Sequence, residues 1–83
     1  MNQESLQALL RAVRIAVQDE LATLPMEGTE DARRSRIWYD VQKAVYGEMA
    51  ETAIATHDGN QFKAAISLGI NRNTLRTWKQ SQS

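Results

Sequence analysis

Eighty-three residues with a formal net charge of zero, 42% hydrophobic and 24% charged, make one small domain or one protomer of a small assembly. A chain this short buries little core alone, so a second copy or a metal commonly helps; with no cysteine and His57 as the single histidine, no metal and no cofactor are expected. No apolar run is long enough for a membrane span, the polar opening MNQESLQ argues against a signal peptide, and the lack of cysteine fits a reducing, cytoplasmic setting.

Ser5 to about Leu24 reads as a helix. Leu6, Leu9, Leu10, Val13, Val17, Leu21 and Leu24 recur at intervals of three and four and line one side. Ala8, Ala12 and Ala16 add helix propensity and permit a close neighbour, and Pro25 stops the element. The stripe extends over about five turns, roughly 30 Å. One partner helix and a small C-terminal unit cannot cover it; a second copy of the chain can. Met26 to Asp31 is a connecting loop, with Thr29 or Asp31 as the cap of the next helix and Met26 as gap-filling. Gly28 alone makes no phosphate cradle.

Asp31 to about Thr56 reads as one long helix, with Ile37, Trp38, Val41, Val45, Met49, Thr52, Ala53 and Thr56 at the helical period. Trp38 and Tyr39 are expected to pack between helices. Gly47 interrupts the pattern and allows a bend. Arg33, Arg34 and Arg36 lie close to Asp31 and Asp40 and read as a solvated face with local ion pairs, with a contact to flanking DNA as the other reading. His57 beside Asp58 has no serine or cysteine nucleophile to complete a catalytic set, and no titratable cluster is in view, so no enzyme is expected. Asp58-Gly59 is flanked by helical period on both sides and reads as a helix–helix corner, not a hairpin.

The last stretch, GNQFKAAISLGINRNTLRTWK from Gly59 to Lys79, carries two short helices and a tight turn. Asn60 caps a helix over Gln61 to Leu68, Gly69 ends it, and Asn71 caps a second helix from Arg72 to about Gln80. Ala64, Ala65, Leu68, Ile70, Leu75 and Trp78 form the apolar side, leaving Arg72, Asn73, Thr74, Arg76, Thr77 and Lys79 outward or flanking. Charge is segregated to match. All ten acids lie in residues 1–58 with six of the ten Lys+Arg, a net of −4; Lys63, Arg72, Arg76 and Lys79 give residues 59–83 a net of +4.

This run resembles the C-terminal helix-turn-helix of the Fis family (factor for inversion stimulation) and the related tails of bacterial enhancer-binding activators. The matching residues are Gly59, Asn60, Gln61, Ala64, Ala65, Leu68, Gly69, Ile70, Asn71, Arg72, Thr74, Leu75 and Arg76. The resemblance implies an all-α fold of four helices: two long N-terminal ones forming a dimer core over residues 1–57, then a helix-turn-helix DNA-binding region over 58–83. Leu6, Leu10, Val13, Val17, Leu21, Val41, Val45 and Met49 would line the homodimer interface. The expected partners are double-stranded DNA and a second copy of the chain, with no membrane, in the cytoplasm at the nucleoid.

The DNA-binding set so implied is Asn60, Gln61, Lys63, Asn71, Arg72, Asn73, Thr74, Arg76, Thr77 and Lys79. Arg72, at the helix start, offers its fork to the O6 and N7 of guanine. Asn71, Thr74, Arg76 and Lys79 mostly grip phosphates, and Asn60 offers a phosphate its backbone N–H and side chain. Family dimers set their reading helices close together, so bound DNA bends and its central minor groove narrows. Phe62, Asn73 and Thr77 depart from the residues of the best-known family member, and Trp78 takes an apolar role that the family gives to the next position. With about four residues before the first helix, no N-terminal arm is expected, and a transcriptional or nucleoid role is expected over recombination enhancement. A regulator of a phage or mobile element with a sharper operator, and a helical protein-binding adaptor, are the alternatives.

Overall fold

The computed structural model describes residues 1–24 and 35–80, and the described residues are all-helical: α1 (Gln3–Thr23), α2 (Ile37–Thr56), α3 (Gln61–Leu68) and α4 (Arg72–Gln80). The chain divides into two compact units, Met1–Trp38 and Tyr39–Ser83. Among the described residues no helix is long and apolar enough to cross a membrane. The loop expected over Met26 to Asp31, with Arg33 and Arg34 of the basic cluster, lies outside the described residues.

In the first unit, α1 starts two residues earlier than its pattern predicts. Asn2 is the reason: its Oδ1 accepts from the N–H of Glu4 at 2.7 Å and of Ser5 at 3.3 Å, satisfying donors that the first turn leaves open. At the other end Leu24 is extended, φ −75° and ψ 123°, the conformation that a following proline imposes. No residue of α1 is buried. Val13 and Val17 are half-buried, while Leu6, Leu9, Leu10 and Leu21 remain exposed, Leu10 at 46%.

The helix expected from Asp31 begins at Ile37 within the described residues, because Ser35 and Arg36 are not helical and the Ser35 hydroxyl accepts from the Ile37 N–H at 3.4 Å. Its apolar period also starts only there. Trp38 does not pack between helices as expected: it is 78% exposed. Tyr39 is likewise exposed, with Lys43 Nζ over its ring at 5.3 Å from the centroid.

In the second unit the core is Ala50, Ala53, Ala64, Ala65 and Leu75, with Ile54, Leu68, Ile70 and Trp78 packed against it. Four alanines let the backbones come close, and Leu75 is the largest fully buried side chain, contributing roughly 1.5–3 kcal/mol by burial. The C-terminal half of α2 is therefore part of this core. Gly47 does not break α2, which is continuous from Ile37 to Thr56 with Gly47 buried.

Both corners close by the same device. After α2, Asp58 N–H donates to Ala55 O and Gly59 N–H to Ile54 O, with φ 54° at Asp58 and 88° at Gly59. After α3, Gly69 N–H donates to Ile66 O and Ile70 N–H to Ala65 O, with φ 76° at Gly69. These paired bonds satisfy the last carbonyls of each helix and turn the chain sharply. The Asp58-Gly59 pair is thus a helix–helix corner, as its flanks predict. A Cβ built on Gly69 meets nothing within 4 Å, so Gly69→Ala is a pure test of the left-handed backbone. It should cost about 1–2 kcal/mol and lower the melting temperature by several degrees, read by thermal unfolding with no change in helicity below the transition.

Candidate nucleic-acid interface

The start of each helix in the basic stretch is fixed by a side chain. Asn60 Oδ1 accepts from Lys63 N–H at 3.0 Å and starts α3; Asn71 Oδ1 accepts from Asn73 N–H at 2.7 Å and starts α4. Arg72 is therefore the first helical residue of α4. Each cap uses the carboxamide oxygen and leaves the Nδ2–H2 group to donate outward, both asparagines being exposed. The backbone N–H of Asn60 donates to His57 O at 3.0 Å, so the expectation that this N–H meets a phosphate is corrected: the corner after α2 has taken it.

α4 has one clean back. Leu75 is buried and Trp78 half-buried on the side that meets the core. Arg72, Arg76 and Lys79, spaced by four and three, are exposed along another side, with Asn73 and Thr77 exposed beside them. Thr74 is half-buried, one turn before Trp78, and so flanks the exposed face instead of standing on it. The Thr77 hydroxyl donates to Asn73 O at 3.0 Å, which spends the proton it would give a phosphate. On α3, Gln61 is half-buried at the first helical position and Lys63 exposed. The basic side chains from Gly59 onward face no carboxylate of their own segment, so their positive potentials add.

The residues expected at a dimer interface divide by element. Leu6, Leu10 and Leu21 are exposed and Val13 and Val17 half-buried on α1; Val41, Val45 and Met49 are half-buried on α2. Sequence reasoning missed a second apolar face on α2. Tyr46 and Gly47 join Ala50, Ala53 and Ile54 on a side about 140° from Val41, Val45 and Met49 at 100° per residue. It also missed that Tyr46 stacks on Trp78, ring centroids 4.7 Å apart and planes 10° from parallel. A count of small residues at the helical period, Gly47, Ala50, Ala53 and then Ala64, Ala65, would have found that face.

Residues 47–77 match the family model described as bacterial regulatory protein, Fis family. The match begins at the buried Gly47 and takes in the end of α2, all of α3, the Gly69 turn and most of α4, somewhat more than a third of the chain. No curated protein and no solved structure matches. The capped, sharply turned helix pair with its basic outer side is a Fis-type helix-turn-helix, as the GNQ…GINR…TLR run predicts. It places this segment in the class of DNA-binding transcription regulators.

Proposed function

We propose that the protein acts as a homodimer, binding DNA with loose sequence preference and bending it, as a Fis-like transcriptional or nucleoid-associated regulator. Residues 1–57 supply the dimer core and 58–83 the reading region, with the end of α2 serving both. Two copies of α4 enter successive major grooves. Arg72 reads guanine, and Asn71, Arg76 and Lys79 hold phosphates, with Asn60 and Lys63 gripping the backbone from α3 and Gln61, Asn73, Thr74 and Thr77 flanking. On the family pattern the paired helices stand closer than one turn of straight duplex, about 34 Å, so the DNA bends and its deformability contributes to preference.

The observation that carries the DNA reading is α4 itself: a helix pinned at its start by Asn71, backed by Leu75, with Arg72, Arg76 and Lys79 aligned outward. The dimer reading is supported by α1, whose stripe has no buried residue among the described residues, Leu6, Leu9, Leu10 and Leu21 being exposed. A second copy is the economical cover for it, since exposed stripes of this kind otherwise aggregate.

Gel shifts on random-sequence duplex at several salt concentrations test the reading. Neutralising about six phosphates per dimer predicts a log–log slope near −5. Binding with that slope is the expected result. Absence of binding, or affinity indifferent to salt, overturns it in favour of a protein-binding adaptor.

A further inference from the structure

We infer that Tyr46 is a positioning residue for DNA binding: its stack on Trp78 fixes the pitch of α4 and so the register of Arg76 and Lys79 on the phosphates. The inference rests on the DNA-binding reading and adds to it a residue outside the basic stretch.

Three contacts among the described residues bear on the seat of α4. Its start is tied by the Asn71 cap and by Ile70, whose N–H closes the turn onto Ala65 at 3.0 Å and whose side chain packs on the core. Its middle is held by Leu75, fully buried among alanines. Beyond Leu75, Trp78 packs on the core side and lies flat against Tyr46, ring centroids 4.7 Å apart. Leu75 seats the middle of α4 at one point of the core, which locates the helix but does not by itself set the angle of its far end. A parallel stack does resist a tilt. Two extended planes in contact over their faces lose contact area for any rotation out of plane, and offset-stacked rings are favoured over displaced ones.

The geometry says which functional groups depend on this. α4 is nine residues long, roughly 13 Å. A tilt of about 10° about its tied start displaces the far end by about 2 Å, whereas a hydrogen bond tolerates only about half an ångström. Arg72 lies at the fixed end and is little affected. Arg76 and Lys79 lie at or beyond Leu75, on the length that the Tyr46–Trp78 stack controls. Tyr46 is 37% exposed and belongs to α2, so it carries this role without contributing to the buried core or to the basic face.

The test is a double-mutant cycle between Tyr46→Leu and Lys79→Ala, read by gel shift across salt concentrations on the intact chain. Wild-type binding is measured first; its absence would remove the DNA reading and this inference with it. Tyr46→Leu keeps apolar bulk but no ring. It should weaken binding about tenfold and make the log–log salt slope shallower by roughly two, the Lys79 phosphate at the far end being lost from each subunit while Arg76, next to Leu75, shifts less. Lys79→Ala should weaken wild type several-fold and Tyr46→Leu hardly at all, because the contact is already gone. Tyr46→Phe, which retains the ring, should restore wild-type affinity and slope. Wild-type binding with an unchanged slope in Tyr46→Leu, or equal Lys79→Ala losses in both backgrounds, overturns the positioning role and leaves the DNA reading intact. If circular dichroism shows that Tyr46→Leu does not fold, the same cycle run with Trp78→Leu decides by the same criteria.

Discussion

Arg72→Ala is expected to abolish most site-specific DNA binding while leaving the protein folded and its assembly unchanged. Arg72 is exposed at the first position of α4, where a reading helix meets base edges, and makes no contribution to the core of Ala50, Ala53, Ala64, Ala65 and Leu75. The α4 start does not depend on it, because Asn71 supplies the cap. A bidentate arginine–guanine pair discriminates by about 1–3 kcal/mol. Two copies in the proposed dimer make that roughly 2–6 kcal/mol, a loss between about 30-fold and 20,000-fold. Lys63, Arg76 and Lys79 remain, so binding to random duplex should fall far less and the gap between preferred and random DNA should close. Gel shifts on a selected site and on random duplex measure both quantities. If the variant keeps its helicity, its sedimentation and its affinity for the selected site, α4 is not the reading helix.

The C-terminal unit was readable from the sequence because the signals that build it act over two to four residues. Asn60, Gly69 and Asn71 each fix a boundary through one or two hydrogen bonds to near neighbours, and the structure puts both ends of α3 and the start of α4 where those residues stand. The apolar set Ala64, Ala65, Leu68, Ile70, Leu75 and Trp78 faces the core without exception, since helical spacing alone determines which side of a short helix they share.

The N-terminal boundary of α2 was harder for a physical reason. Ser35 and Arg36 follow an acid and two arginines in a pattern that suggests a helix already under way, yet neither brings an apolar side chain to pack. Ile37 is the first residue that does, and the serine hydroxyl two places before it accepts the first orphan N–H. Trp38 shows the limit of reasoning from residue type: aromatics are buried on average, but this one is exposed along α2. The second face of α2 was hidden because Gly47, Ala50 and Ala53 carry little hydrophobic weight individually. Their value lies in how near they let α3 and α4 approach, which no scale of transfer energies registers. α2 therefore has apolar residues on two sides, one used within the chain and one carrying Val41, Val45 and Met49.

Leu10→Glu is expected to break the contact between two copies of the chain. Leu10 is 46% exposed in the middle of the α1 stripe, flanked by Leu6, Val13 and Val17. In a lone chain a glutamate there would stay largely in water and cost little, about 0.5 kcal/mol or less. Across a two-fold interface the same change places two carboxylates against leucines and against each other, and each charge taken from water costs several kcal/mol. The proposed dimer should therefore dissociate at micromolar concentration, seen by sedimentation, and DNA affinity should fall by two orders of magnitude or more as two linked reading helices become one. Ile15→Glu is the matched control, because Ile15 is exposed on the far side of α1 from Leu10 and should leave both measurements unchanged. The two variants separate the cost of a charge on the helix from the cost of a charge in the contact. A Leu10→Glu chain that unfolds while Ile15→Glu remains a folded dimer supports the same conclusion, since a protomer this short then has no stable state without its partner. A Leu10→Glu protein that sediments as wild type and binds DNA as tightly shows that the α1 stripe is not where two copies meet.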